Sequence, residues 1–177
     1  MRVVVVTLDV VAVDRSFPDV VRRRLAESGA ADGTLILAGS HTHSGPGAFI
    51  DPEAMGFIAV DRHDAAVRDA LIRTVVDAAQ QADVARRPAR LAATSVTAPQ
   101  VTTGRQGRPV DPELTVLKVS AETGSPIALV WNYAIHGTML GARNDRLSND
   151  PGSVPERGRC RCQSSPAWPR RRGDNKP

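Results

Sequence analysis

The chain has 177 residues, of which 41% are apolar and 3% aromatic, so it predicts one globular domain with a mainly aliphatic core. The net charge of +4 comes from residues 156–177, which hold seven Lys or Arg and two acidic residues, whereas the other 155 residues are nearly neutral. This balance argues against nucleic acid as a partner of the fold.

The first elements predict a β-α-β unit. Residues 3–13 are rich in β-branched side chains and indicate a buried strand. Asp9 interrupts the apolar run, which argues against reading it as a signal peptide. Residues 17–28 predict a helix that Ser16 can cap and Gly29 can end. Residues 34–39 predict a second strand. Because a helix connects the two strands, they are expected to be parallel neighbours.

The second half of the predicted domain contains one helix and three strands. The helix covers residues 64–85, and its apolar face is formed by Val67, Leu71, Val75 and Val76. The strands cover residues 90–97, 114–119 and 127–135, with an exposed polar loop at 99–112. The predicted fold class is α/β, with a mixed, mostly parallel sheet flanked by helices. The domain is expected to be incomplete at both ends, since its first strand begins almost directly at Met1.

Residues 151–177 differ in character from the domain predicted for residues 1–150. They are rich in Pro, Arg and Ser and have no helical or strand period. Two interpretations remain open: a disordered tail, or a non-native tail read in a shifted frame of GC-rich coding sequence. Cys160 and Cys162 are too close in sequence for an unstrained disulfide, so they do not indicate a redox compartment. No stretch approaches the roughly 20 apolar residues of a membrane span, and the compartment stays open.

The candidate chemistry lies where predicted strands end. The sequence LILAGSHTHSGPGAF, residues 35–49, leads from a strand into His41 and His43, and another apolar strand leads into His136. Side chains two apart on an extended segment point to the same side, about 6.5 Å apart. Imidazole is a common ligand of transition metals, and catalytic zinc usually takes three protein ligands. His41 and His136 are therefore candidate metal ligands, and His43 is either a third ligand or an acid–base residue.

Other readings of the residues stay open at this stage. Asp150 is a weaker ligand candidate on a turn, and His63 is expected to belong to the start of a helix. The histidines could be structural residues of a non-catalytic α/β binding module. Another class of metallohydrolase is a further alternative, although the metallo-β-lactamase pattern requires an Asp and a His soon after His-x-His, where this chain has Ser44, Gly45 and Pro46.

Several motifs together resemble the neutral/alkaline non-lysosomal ceramidases. HTHSGPG at residues 41–47, preceded by TLILAGS, resembles the signature of that family. VDPELTVLKV at 110–119, WNYAIHGTML at 131–140 and RLSND at 146–150 are similar to later family segments in order and spacing. The resemblance covers about residues 1–150, which are thereby predicted to be part of the N-terminal catalytic domain.

The resemblance implies hydrolysis of the ceramide amide to sphingosine and a fatty acid with one zinc ion, Zn²⁺. It implies that His41 and His136 bind the zinc, that His43 is a catalytic residue beside it, and that Arg105 in TGRQGRPVDPE is an active-site arginine. The expected partner is a ceramide-like lipid substrate, with peripheral membrane contact through that substrate and no partner protein. Members of the family are often secreted or membrane-associated.

The chain also departs from the family pattern. The family's remaining zinc ligands, a Glu and a Tyr, and an active-site serine segment lie well beyond the second histidine motif, and no equivalents are found in this sequence. Because a productive zinc site needs its geometry fixed by all its ligands and their surroundings, this 177-residue chain is expected to bind zinc weakly. Little or no hydrolysis of ceramide is expected from it.

Overall fold

The computed structural model describes residues 2–29, 33–51, 61–98, 104–136, 138, 140 and 143–149, with Arg105 described by its backbone alone. Within these ranges there are five strands, two α-helices and one short 3-10 turn. In chain order they are β1 (Val3–Leu8), α1 (Ser16–Glu27), β2 (Thr34–Gly39), α2 (Ala65–Val84), β3 (Ala89–Thr97), the turn Arg105–Gly107, β4 (Glu113–Ala121) and β5 (Pro126–Asn132).

The predicted β-α-β unit is confirmed. β1 and β2 are parallel and stay in register from Val3 opposite Thr34 to Leu8 opposite Gly39. β1 ends at Leu8, five residues earlier than predicted, and the carbonyl of Val10 accepts a hydrogen bond from the backbone N–H of His41 instead of continuing the ladder.

The start of α1 differs from the prediction. Asp14, and not Ser16, caps the helix, since its Oδ1 accepts hydrogen bonds from the N–H groups of Ser16 and Phe17, each at 2.9 Å. A carboxylate at this position satisfies N–H groups that have no partner inside the helix. Gly29 follows the last turn with φ of 72°, a conformation in which glycine carries no side-chain penalty, so its predicted role at the helix end is confirmed.

The core lies between the two helices and one face of the parallel sheet. α2 begins after Asp64, whose side chain accepts from the N–H of Ala66 at 2.9 Å. The predicted apolar face of α2 is rotated slightly, so that Val67 and Leu71 are only partly buried. The fully buried side chains include Phe17, Val21, Leu25, Phe49 and Val75. The two phenyl rings, Phe17 and Phe49, pack edge to face with centroids 6.1 Å apart.

A buried ion pair joins the two helices to the loop after β2. Arg68 of α2 donates to both carboxylate oxygens of Asp14, to Ser16 Oγ and to the carbonyl of Phe49. Its guanidinium also lies 5.3 Å from the centre of the Phe17 ring. Burial raises the pKa of Asp14, but the hydrogen bonds and the positive charge of Arg68 outweigh this effect and hold that pKa well below its usual range. Asp14 is therefore a carboxylate throughout the neutral pH range.

The prediction of a mostly parallel sheet is wrong. Among the described strands only β1 and β2 are parallel, and β3, β4 and β5 form a separate antiparallel sheet in the order β3-β4-β5. β4 and β5 are joined by a tight turn in which Gly124 has φ of 89°, and so short a connection permits only antiparallel pairing. Between β3 and β4 the described residues contain only the short 3-10 turn Arg105–Gly107 and no α-helix, and the two strands pair antiparallel from Ala89 opposite Ala121 to Thr97 opposite Glu113.

The strands are also less buried than predicted. Alternate residues of β1 point away from the core, and Val3 and Val5 are 44% and 52% exposed. In the antiparallel sheet, whose strands pack on no helix among the described residues, Leu91 and Leu129 are 69% and 62% exposed. Both sheets thus present uncovered apolar surface. No helix in the described part of the chain is long and apolar enough to cross a membrane.

Candidate metal centre

The three predicted histidines converge. One nitrogen from each of His41, His43 and His136 lies within 4.8 Å of the other two, and within the described ranges this is the only such group of three or more His, Cys, Asp or Glu side chains. The ring centroids are 4.9 to 5.3 Å apart. All three rings are exposed to solvent, so a ligand can reach them directly.

The site lies between two sheets and not at the edge of one. His41 and His43 follow the parallel strand β2, whereas His136 follows the antiparallel strand β5. β2 and β5 belong to different sheets. The histidines nevertheless meet, and the second histidine segment reaches the site from the antiparallel sheet.

The orientation of His41 is fixed by the loop after β1. Its Nδ1 lies 2.6 Å from the carbonyl oxygen of Val11, and its backbone N–H donates to Val10 at 3.1 Å. A carbonyl oxygen only accepts, so Nδ1 carries the proton and Nε2 is left with the lone pair that a metal requires. His41 has φ of 61°, an unusual conformation for a residue with a side chain. Backbone and ring are therefore both held in place.

His43 and His136 contact each other directly. Their Nε2 atoms are 2.9 Å apart, so one ring donates a proton and the other accepts it. This hydrogen bond satisfies the two nitrogens. To hold an ion together through Nε2, the two rings would need the donor's proton on Nδ1 and a slightly larger separation of the two nitrogens.

The residues between and after the two motif histidines face the opposite way. Thr42 is fully buried and Ser44 is 8% exposed. Thr42 Oγ1 donates to the carbonyl of Ser148 at 2.7 Å and accepts from the N–H of Ser44 at 3.1 Å. The backbone N–H of Ser148 donates to Ser44 at 3.0 Å, and Asn144 Nδ2 donates to Ser44 Oγ at 3.0 Å. Sequence reasoning did not identify these contacts, although the period-2 alternation of H-T-H-S was a signal that Thr42 and Ser44 point inward.

A small cavity of about 230 Å³ lies beside His43. It is lined by Val11, Thr42, His43, Gly45, Pro46, Gly47 and Asp61. The glycine at 45 is required by close packing, since a Cβ there would lie 2.4 Å from the backbone oxygen of Asp9. The turn after the histidines is thus pressed against the end of β1, which brings the cavity next to the metal candidates.

The three histidines could hold a metal ion, and their spacing can be compared with that around zinc. Tetrahedral zinc, with Zn–N distances of about 2.0–2.1 Å, keeps its nitrogen ligands roughly 3.3 Å apart. The Nε2 atoms of His43 and His136 are 2.9 Å apart, and the ligand nitrogens of all three histidines lie within 4.8 Å of one another, so small side-chain shifts would be needed to reach that spacing. The Nδ1 hydrogen bond of His41 also matches the usual arrangement around a metal-bound histidine.

Of the remaining candidates, the structure fully describes only His63. The backbone of Arg105 opens the short turn Arg105–Gly107, and its side chain lies outside the described residues. Asp150 and the predicted tail 151–177 also lie outside them. His63 lies before α2, with its Nδ1 3.9 Å from a carboxylate oxygen of Asp51, and it is not part of the histidine group.

Fold and site together define an α/β protein with an exposed histidine site suited to a transition metal. Residues 1–155 match the model of the neutral/alkaline non-lysosomal ceramidase family, N-terminal part. This match covers most of the chain and includes all three histidines, so the chain belongs to that family. No curated protein matches the chain.

Solved structures share the fold. The neutral ceramidase from Pseudomonas aeruginosa is similar with a TM-score of 0.70 at 20% sequence identity, over 82% of this chain and 25% of that one. A ceramidase complexed with C2 is similar with a TM-score of 0.67 at 23% identity, with the same coverage of both chains. The chain therefore spans about a quarter of the length of the solved relatives that it matches.

Proposed function

We propose that the chain carries part of the active site of a zinc-dependent amidohydrolase that cleaves the N-acyl amide of ceramide-like lipids. The observation that carries the proposal is the convergence of His41, His43 and His136 within 4.8 Å in a chain of the ceramidase family. Family membership also favours this reaction over those of the other metallohydrolase classes that the sequence left open.

The residues divide the work of amide hydrolysis between holding the metal and moving protons. His41 and His136 would hold the ion through ring nitrogens. A zinc ion there would polarise the amide carbonyl and lower the pKa of a bound water towards about 7. His43, beside both rings, is suited to take a proton from the attacking water and deliver it to the amine nitrogen as the C–N bond breaks. Arg105 is proposed as a further active-site residue on the family resemblance alone.

We further propose that the 177-residue chain by itself turns over little or no substrate. No carboxylate joins the three histidines within the described ranges. The cavity beside His43 holds about 230 Å³, which is below the roughly 300–1,000 Å³ of typical ligand pockets and too small for a lipid chain. The proposed partner is a ceramide-like lipid, with peripheral membrane contact through that substrate.

Zinc binding is tested with three versions of the purified chain: wild type, His41→Ala and His63→Ala. His63 is the matched control, because it is the one histidine outside the group. Isothermal titration should show one zinc bound by the wild type and by His63→Ala, with strong loss in His41→Ala. Zinc should also raise the melting temperature of the wild type and of His63→Ala, but not that of His41→Ala. Equal behaviour of all three proteins would support the alternative of structural histidines in a binding module.

Turnover is tested with added zinc and a fluorescent short-chain ceramide. Little or no product is expected from the wild-type chain. Hydrolysis that is lost in His41→Ala and kept in His63→Ala would support the proposed reaction but refute the proposed inactivity, because it would mean that this chain completes its own site.

A further inference from the structure

We propose that Thr42 is a positioning residue that fixes His41 and His43 by tying their segment to residues 144–149. This inference rests on the proposed metal-binding function of the histidines. It assigns a role to the buried residue between them, whose hydroxyl bonds to the backbone of Ser148 and Ser44.

The argument begins with the alternation of side chains along the motif. His41 and His43 point to the exposed site, and Thr42 between them has no exposed surface. The hydroxyl of Thr42 makes two hydrogen bonds, one to the carbonyl of Ser148 at 2.7 Å and one from the N–H of Ser44 at 3.1 Å. Because both hydrogen bonds hold the buried hydroxyl in place, they restrict the backbone that carries the two imidazole rings.

The segment that Thr42 contacts is itself bound to the motif from the other side. The N–H of Ser148 donates to the carbonyl of Ser44 at 3.0 Å, and Asn144 donates to the hydroxyl of Ser44 at 3.0 Å. Three hydrogen bonds therefore join the motif to a segment about 100 residues later in the chain.

The effect expected from losing the hydrogen bond between Thr42 and Ser148 follows from the burial of Thr42. A hydroxyl that is removed from a buried site leaves the carbonyl of Ser148 without this donor. Residues that orient metal ligands without touching the ion typically change metal affinity by about 10- to 100-fold when they are replaced. Thr42→Val keeps the shape of the side chain and removes only the hydroxyl. Thr42→Ser keeps the hydroxyl and removes only the methyl group.

The test measures Co²⁺ affinity by titration and the His41 tautomer by ¹⁵N–¹H NMR of the metal-free chain. Thr42→Val should bind Co²⁺ about tenfold or more weakly and should lose the single Nδ1–H form of His41. Thr42→Ser should restore both properties. The control is Thr74→Val, because Thr74 lies on the exposed side of α2 and its hydroxyl donates to the carbonyl of Ala70 in the same helix at 3.0 Å, so this variant should behave as wild type.

Two results would overturn the proposal: wild-type affinity and tautomer in Thr42→Val, or a defect in Thr42→Ser as large as that in Thr42→Val. If Thr42→Val fails to fold by circular dichroism, Asn144→Ala decides, because it breaks the contact with Ser44 from outside the core. It should weaken Co²⁺ binding in the same direction, and unchanged binding would contradict the proposal. If the wild type binds no Co²⁺, the proposed function fails. The role of Thr42 is then tested by the His41 tautomer alone, measured in the variants without added metal.

Discussion

Replacing Asp14 by Asn should destabilise the fold strongly, because it leaves the buried Arg68 without its counter-charge. The side chains of Arg68 and Asp14 are only 12% and 9% exposed, and they form a bidentate pair. Asn is almost the same size and can still cap α1, so packing and capping change little. The carbonyl of Phe49 and the hydroxyl of Ser16 remain as partners of Arg68, but neither carries a charge.

The expected loss is about 3 to 5 kcal/mol, the range for breaking a buried pair by removing one partner. Domains of this kind have total stabilities of about 5–15 kcal/mol, so the change would be large. The loss should depend on pH. Since folding lowers the pKa of Asp14, its contribution is complete above the unfolded pKa of about 3.9 and is lost as pH falls below that value towards the lower folded pKa. The advantage of the wild type over Asp14→Asn should therefore shrink in acid.

Urea unfolding followed by circular dichroism measures both effects, at pH 7 and at steps below pH 5. Asp19→Asn is the matched control, since Asp19 is 74% exposed and pairs with Arg22 on the surface of the same helix. An exposed pair of this kind contributes about 0 to 1 kcal/mol. A loss in Asp14→Asn no greater than that in Asp19→Asn, or a difference from wild type that persists unchanged in acid, would refute the reasoning.

Two further predictions concern packing and surface. Gly45→Ala should lower the free energy of unfolding by about 1–3 kcal/mol, because its Cβ would lie 2.4 Å from the backbone oxygen of Asp9, and an unchanged melting temperature would contradict the close approach. The chain should self-associate with rising concentration in sedimentation velocity, because its antiparallel sheet leaves apolar residues such as Leu129 uncovered at 62% exposure. Leu129→Lys should reduce that association, whereas Val84→Lys, at an 89% exposed position at the end of α2, should change it less.

Local patterns predicted the elements well. The β-α-β unit, both helices and β2 follow from apolar periodicity and from end signals such as Gly29, and the structure keeps them within a few residues, although the first strand is shorter. Those signals act over neighbouring residues, so the sequence displays them directly. The pairing of His41 with His43 is of the same kind, since period-2 alternation alone places two side chains on one side.

Contacts between distant parts of the chain could not be predicted in the same way. The only local signal for the antiparallel pairing of β4 and β5 is the short turn around Gly124, whereas the apolar pattern of the strands is equally compatible with a parallel sheet. The bond from Thr42 to Ser148 spans 106 residues, and the pair of Asp14 with Arg68 spans 54. Nothing local distinguishes these polar residues from exposed ones, because their burial is decided by how the sheets and helices meet.

His41 has a left-handed backbone, with φ of 61°, so the residue that supplies the imidazole ring is not the residue that would be most stable at this position. Left-handed backbone costs a residue with a Cβ roughly 1–2 kcal/mol, a cost that glycine escapes. Selection for folding alone would therefore favour glycine or asparagine at position 41. Selection for the imidazole ring would instead retain histidine. His41→Gly should accordingly yield a chain that is more stable than His41→Ala, and both variants lack the proposed metal ligand. Proteins recovered in a screen for thermal stability without selection for activity should lose this histidine early.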